Sequence, residues 1–491
     1  MRPRKIPWGS PVDSPRNSLV LAVVAAAASA CLLWFGTGMH PLWWMAWIAP
    51  IPVLLAAPRV TGAMAALAAF AAWAIGDLNQ WHYLYGVLRI PLGPVLMIVL
   101  FPALVFTIDV LAYRSVLLRS VWRAALVFPS IWVFYEFASE SFSPHGTAGN
   151  LSYSQMNFLP VLQLVSVTGI WGISFCLFLF AATLSALLSR HGNPGEKRIL
   201  AISVAAVLVA VLGFGAWRLY TGPPDNNAVK VGLVASDLDG NILAEKHDDM
   251  LRLLRDYAAE ARRLAAQGAQ AVVTPEKIAV VRNSDVPEVD SLLGSTAAQT
   301  GAMIVVGVIH PTPAAKWNEA RLYEPNGTIH VYEKHHMLPP FESSFAVGTE
   351  RTEWQEPSGL WGMTICKDMD FPALSRQYGS DGAGLLLVPA WDFDVDGWQH
   401  GRWAILRGVE SGFSIARAPK EGIITVTDDR GRVLAERATS SAPFASLVAT
   451  APVHHDATVY ASFGDWFAWL NIVLLAALIA AAIVMGRRGQ H

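Results

Sequence analysis

Hydrophobic positions in this 491-residue chain change their rhythm twice. Up to about residue 220 they form long runs, near 19–35, 43–57, 62–74, 95–113, 122–137, 161–188 and 199–217, and one more lies near 466–485. A bilayer offers the backbone no hydrogen-bond partner, so runs approaching ~20 apolar residues predict membrane-crossing helices. The pattern predicts about eight transmembrane helices: a seven-helix N-terminal membrane domain over 1–220 and a C-terminal helix over 464–486. The first run follows Met1-Arg2-Pro3-Arg4-Lys5 like a signal peptide, but the runs behind it make it an uncleaved span.

Between 226 and 456 the pattern shortens into alternating strands and helices. Apolar runs predict strands at 229–234, 271–274, 303–309, 321–324, 329–333, 362–366, 384–389, 415–418 and 423–427. Leu251, Leu254, Tyr257, Ala258, Ala261 and Leu264 recur at helical spacing and predict a helix over 244–267; others are expected near 286–300, 371–378 and 400–411. Pro325-Asn326-Gly327 marks a hairpin turn. This alternation predicts a layered α/β domain.

Charge sharpens the division. Residues 226–456 hold 21 Lys/Arg against 30 Asp/Glu, net −9, which leaves 15 against 8, net +7, for the rest. An acidic globular part beside a basic, apolar part argues against a nucleic-acid partner. Basic residues gather in alternate loops (Arg16, then Arg59, then Arg114, Arg119 and Arg123, then Arg190, Lys197 and Arg198, then Arg487 and Arg488). By the positive-inside rule both termini face the cytoplasm and 226–456 faces outward. The outward loops 76–89 and 138–159, rich in Trp81, Tyr83, Tyr85 and Tyr153, read as an aromatic belt in preference to substrate contacts.

The three cysteines, Cys31, Cys176 and Cys366, offer neither a disulfide framework nor a metal spacing. Cys366 alone falls in the α/β part, where a strand ends; it reads as a small core residue or a nucleophile. Two other strand ends carry ionisable residues: Glu276 after Val272-Val273-Thr274-Pro275, and Lys334 after Val331-Tyr332-Glu333. A thiol needs a base, which Glu276 can be, and an acyl-transfer intermediate needs a cation for its oxyanion, which Lys334 can be.

Pro275-Glu276, Tyr332-Glu333-Lys334-His335-His336-Met337-Leu338-Pro339 and Ile365-Cys366 with Phe371-Pro372 resemble the nitrilase, or carbon–nitrogen hydrolase, superfamily. The membrane frame and the Lys-His-His element resemble the apolipoprotein N-acyltransferase family in particular. The resemblance implies a four-layer α-β-β-α sandwich, a Glu276-Lys334-Cys366 triad, and supporting roles for Glu342, eight residues past the lysine, and Asp368. It implies a phospholipid acyl donor, an apolipoprotein or other amine acceptor, no cofactor, no metal, a monomer, and a bacterial inner membrane with the catalytic domain outside. A membrane-anchored amidase or nitrilase using water is the alternative. Lys367-Asp368 stands where this family has Tyr-Glu, and Lys367 is expected to lower the thiol pKa.

Several residues have plainer readings. Trp354, Trp361 and Trp391, with Trp398, are core or a lid over the acyl chain. His335 and His336 are structural residues at the rim. Asp392, Asp394 and Asp396 alternate like a calcium loop but lack its distal glutamate, so a solvated loop is expected. Arg407 and Glu410 are expected to form a surface or packing pair.

Overall fold

The computed structural model describes residues 15–221 and 227–488. Arg2, Arg4 and Lys5, the side chains of Arg487 and Arg488, and part of the expected domain boundary lie outside the described residues.

Two sheets form the α/β part. The first runs β13 (Ala445–Pro452), β1 (Ala228–Ala235), β2 (Ala271–Val273), β4 (Met303–Pro311), β5 (Lys316–Tyr323), β6 (Ile329–Glu333), with β3 (Ala279–Val280) added on β4. The second runs β12 (Val433–Ala438), β11 (Ile423–Thr427), β10 (Ser414–Lys420), β9 (Ala383–Trp391), β8 (Gly359–Met363), β7 (Thr352–Glu356). Successive strand residues face opposite sides, so strands buried on both faces are apolar throughout. Val231, Leu233, Val273 and Val305 meet Leu385, Leu387, Ala416 and Ala418 between the sheets. Val234, Val272, Ile304 and Val306 face the helices His247–Ala265 and Val286–Thr300. Leu386, Val388 and Ile415 face Leu374, Tyr378 and Ala404, from the helices Pro372–Asp381 and Gly397–Ser411. The order of layers is helix, sheet, sheet, helix.

In the apolar part, six helices among the described residues are long and apolar enough to cross a membrane: Pro15–Gly36, Gly62–Gln80, Leu92–Leu117, Trp171–Leu188, Pro194–Tyr220 and Trp466–Val484. The expected set of about eight differs from these six at two places. The run at 43–57 folds as two short helices, Trp43–Ile48 and Ile51–Ala56, because Pro50 and Pro52 cannot continue a helical ladder. The helix Val121–Phe142 is long, but Arg123, Glu136 and Glu140 interrupt its apolar character. The expected span 161–188 begins only at Trp171, after single turns and a bend at Gly169 (φ 64°) against the ring of Tyr460.

The two parts share side chains. Helix Gly397–Ser411 is buried almost throughout: Ala404 faces the second sheet, while Trp403, Ile405, Leu406 and Val409 join the core of the N-terminal half. Arg218, in the last turn before the α/β part, pairs with Asp456 and donates 2.9 Å to Gln163 Oε1.

Close backbone packing fixes the strand end that carries Glu276. Gly307 N–H donates to Pro275 O (3.2 Å), Glu276 N–H donates to Ala390 O of the other sheet (3.1 Å), and a Cβ on Gly307 would lie 2.4 Å from Pro275 O. Gly307→Ala is therefore expected to lower stability by about 1–3 kcal/mol, the usual effect of overpacking. A lowered thermal midpoint, with loss of activity in the protein that remains folded, checks it.

Candidate active site

Three strand ends converge on a cavity of about 580 Å³ lined by Glu276, Lys334, Glu342, Cys366 and Trp391. Glu276 follows β2, Lys334 follows β6, and Cys366 lies three residues past β8. Cys366 has φ 44°, a left-handed conformation costly for a residue with a Cβ, and its Sγ–H donates 3.5 Å to Trp391 O.

Lys334 Nζ donates to Glu276 Oε1 and to Glu342 Oε2, 2.8 Å each. Asn318 Nδ2 bridges the same carboxylates, 2.6 Å to Glu276 and 3.0 Å to Glu342. Lys277 pairs with Glu342 and stands 3.5 Å from Glu276. Leu338 N–H also donates 2.9 Å to Glu342, fixing the loop after Lys334 over the pair.

Burial would raise the Glu276 pKa, but Lys334, Lys277 and the hydrogen bonds from Lys334 and Asn318 outweigh it and hold the carboxyl below its ordinary range. Burial likewise opposes the Lys334 charge, and Glu276, Glu342 and Cys366 outweigh it, raising the ammonium well above normal. Cys366 is raised, first by burial and then by Glu276, against the lowering effect of Lys334 and Arg417. The resting site holds a neutral thiol beside a locked ion pair.

Asp368 supports the turn. Its Oδ1 accepts from the backbone N–H groups of His335 (3.2 Å) and His336 (2.8 Å), and its Oδ2 accepts from Tyr332 (2.8 Å). His336 stacks on Phe371 at 3.6 Å, in keeping with a structural role at the rim.

Four readings are corrected. Trp354 and Trp361 pack between the sheets with Val229 and Met363, away from the cavity; only Trp391 of the three lines it. Lys367 is not among the largest influences on the thiol, where Lys334 and Arg417 are the lowering charges; its Nζ is 3.2 Å from His145 Nδ1 and 3.5 Å from Asp370. Asp392 and Asp396 are buried and Asp394 alone is exposed: Asp392 is held by Arg417, and Asp396 accepts from Tyr83 (2.5 Å). Of the loops read as an aromatic belt, Tyr83, Leu84, Leu88, Ser143, His145 and Gly149 line the cavity, whereas Trp81, Tyr85 and Tyr153 do not. The Arg407–Glu410 pair (2.8 Å) is wholly buried, which leaves packing and not surface as its setting.

Lys277, Asn318, Arg417 and His400 were not singled out in the sequence, and only Lys277, adjacent to Glu276, carried a signal there. Asp392, Asp396 and His400 each offer a ligand atom within 4.8 Å of the others, but Arg417 occupies Asp392. Burial opposes charge on His400, and Asp396 and Asp392 overcome it, raising the imidazole to about 9. Arg417 and His400 thus already supply the countercharge a metal would bring.

These fields act on the thiol in opposite directions. In a C31A/C176A background, Glu276→Gln is expected to lower the Cys366 pKa and speed iodoacetamide labelling at fixed pH, and Lys334→Met to slow it. The pH profile of labelling, read by mass spectrometry, checks both signs. Glu276, with a depressed folded pKa, contributes stability that is present above its unfolded value and lost as pH falls through the folded one. Acid unfolding is therefore expected to be steeper in the wild type than in Glu276→Gln, as read by circular dichroism across the acid range.

Residues 29–183 match the apolipoprotein N-acyltransferase N-terminal domain, and residues 235–451 match the carbon-nitrogen hydrolase domain. An apolipoprotein N-acyltransferase of Geobacter metallireducens is 26% identical over 97% of this chain and 97% of its own. One of Gloeobacter violaceus is 26% identical over 98% of each. Among solved structures, an amidase from Nesterenkonia sp. is 23% identical, covers 46% of this chain and 91% of its own, and has a TM-score of 0.39. With both domains in this order and relatives aligned from end to end, the chain belongs to the apolipoprotein N-acyltransferase family.

Proposed function

We propose that this protein is an N-acyltransferase of the bacterial inner membrane, with its α/β domain on the outer side. It moves a fatty acyl chain from a phospholipid to the N-terminal diacylglyceryl-cysteine of an apolipoprotein through a thioester on Cys366. The observation that carries this reading is the Lys334 ammonium, held between Glu276 and Glu342 beside a half-buried thiol. The cavity's apolar wall supports a lipid donor: Leu84, Leu88, Ile90 and Ile98 come from the helical half, and Leu243 and Phe341 from the α/β half.

In the first half-reaction Glu276 takes the Cys366 proton as sulfur attacks the ester carbonyl carbon. Charge develops on the carbonyl oxygen, where Lys334 is placed to stabilise it. The intermediate collapses with cleavage of the ester C–O bond, and Glu276 returns the proton to the departing lysophospholipid alkoxide. In the second half-reaction the amine attacks the thioester carbonyl and its proton passes to Glu276. The C–S bond breaks, the amide forms, and the thiolate recovers the proton. Because burial keeps the thiol neutral at rest, proton transfer is coupled to arrival of the carbonyl beside Lys334. The apolar lining favours acyl retention over loss to water, so the amidase alternative is the weaker one.

Purified protein given phospholipid with a labelled acyl chain is expected to gain one acyl mass on Cys366, and Cys366→Ser to gain none. Absence of a Cys366-linked acyl species in the wild type overturns the donor half. Lipoprotein N-termini from cells lacking the protein are expected to carry free α-amines by mass spectrometry. Complete N-acylation in those cells overturns the acceptor half. Glu342→Gln, which removes one of the two carboxylates on Lys334, is expected to slow acylation by about 10²-fold or more, as for loss of a group that positions a catalytic charge; single-turnover acylation rates check it.

A further inference from the structure

Lys367 follows the nucleophile directly, so its Cα lies about 3.8 Å from that of Cys366. Its side chain is buried, yet it lines the catalytic cavity. It is held from the N-terminal half: His145, in the loop after helix Val121–Phe142, stands 3.2 Å from Nζ through its Nδ1. That loop is docked firmly. Thr147 N–H and Oγ1–H both donate to Asp370 O, at 3.1 and 2.9 Å, and a Cβ on Gly146 would lie 2.5 Å from the same oxygen.

The Lys367 ammonium is incompletely matched. Asp370 is 3.5 Å away, at the limit of a hydrogen bond, and the Phe371 ring centroid lies at 5.6 Å. His145 brings no negative charge; burial and Lys367 hold its imidazole down to about 4 against Asp370, so it is a neutral acceptor at physiological pH. An ammonium has three donors, and these two partners leave one for a ligand. Lys334 is committed to Glu276 and Glu342, and Arg417 to Asp392. A cation next to the nucleophile, fixed by the half that meets lipid and short of countercharge, suits an anionic oxygen on a substrate.

We propose that Lys367, oriented by His145, binds the phosphodiester of the donor phospholipid and selects phosphate-bearing lipids as acyl donors. This rests on the acyltransferase reading above and adds a specificity determinant to it. The ester under attack and the phosphate share one glycerol, so a cation on the residue adjoining Cys366 can meet the phosphate while sulfur meets the carbonyl. Lysine serves here as a compact point charge on a flexible stem. The phosphate forms no covalent bond and leaves with the lysophospholipid.

The test compares two donors with the same acyl chains, phosphatidylglycerol and diacylglycerol, on the full-length protein in detergent micelles. Initial rates of Cys366 thioester formation are read by intact mass spectrometry. Hydrogen bonds to charged groups correspond to about tenfold or more in affinity. Lys367→Met and Lys367→Gln are expected to lower the phosphatidylglycerol-to-diacylglycerol rate ratio by about that factor, while Lys367→Arg keeps it near the wild-type value. His145→Ala, which releases the ammonium, is expected to lower the ratio by a smaller amount. An unchanged ratio in both neutral variants overturns the proposal, as does an equal loss on both donors in variants whose Cys366 is alkylated at the wild-type rate. If the wild type forms no thioester from either lipid, the acyltransferase reading itself fails. If it forms one from both and the variants leave the ratio unmoved, only the role of Lys367 fails.

Discussion

The site depends on one buried cation shared by two buried carboxylates. Lys334, Glu276 and Glu342 are each almost wholly removed from water, and none of the three charges could remain there alone. Their mutual attraction, with Asn318 and Lys277 satisfying further oxygens, makes the cluster tolerable. Three separate segments, after β2, after β6 and in the loop beyond, must arrive together for any of them to be stable. The fold and the catalytic charge are thus mutually dependent: the sheet positions the ions, and the ions hold the loop closed over the sheet.

The same arrangement sets the chemistry. A carboxylate tied to an ammonium is a poor base, and a thiol in an apolar cavity is a poor acid, so both are quiet until a carbonyl oxygen competes for Lys334. In the proposed acyl transfer such restraint would protect the thiol from oxidants and stray electrophiles until a donor arrives. The strained backbone at Cys366 is consistent with a sulfur held in place before the substrate arrives.

Much of this was legible in the chain. Glu276, Lys334 and Cys366 each end an apolar run, and the alternation of Val231, Leu233 and Val273 with Val234 and Val272 belongs to strands covered on both sides. The helix expected at 286–300 is observed as Val286–Thr300. Strands β3, β7, β12 and β13 lie outside the expected set: β3 is only two residues long, β12 is largely exposed and β7 carries Glu353, Gln355 and Glu356, so none of these three has a strong apolar signature. Trp354 and Trp361 stay open between core and lid in the sequence because a tryptophan facing a second sheet and one facing a substrate look alike there; the pairing of β7 with β8 puts both in the core. Arg417 and His400 could not be found from local pattern, since their meaning comes from Asp392 and Asp396 across the fold. Pro50 and Pro52 are plain in the sequence, and they divide the 43–57 run into two short helices despite its length.

Helix Gly397–Ser411 belongs to two cores at once, giving one residue to the second sheet's outer layer and several to the helical half. A domain tethered only by its linkers would be free to rock, and its sequence could drift independently of its anchor. Here Gln399, His400 and Trp403 of this helix line the cavity, and the Tyr83–Asp396 and Thr147–Asp370 contacts add further ties, so the helical half and the site share one packing unit. A change in how the helical half packs is therefore felt at the cavity, and the side chains of the two halves constrain one another.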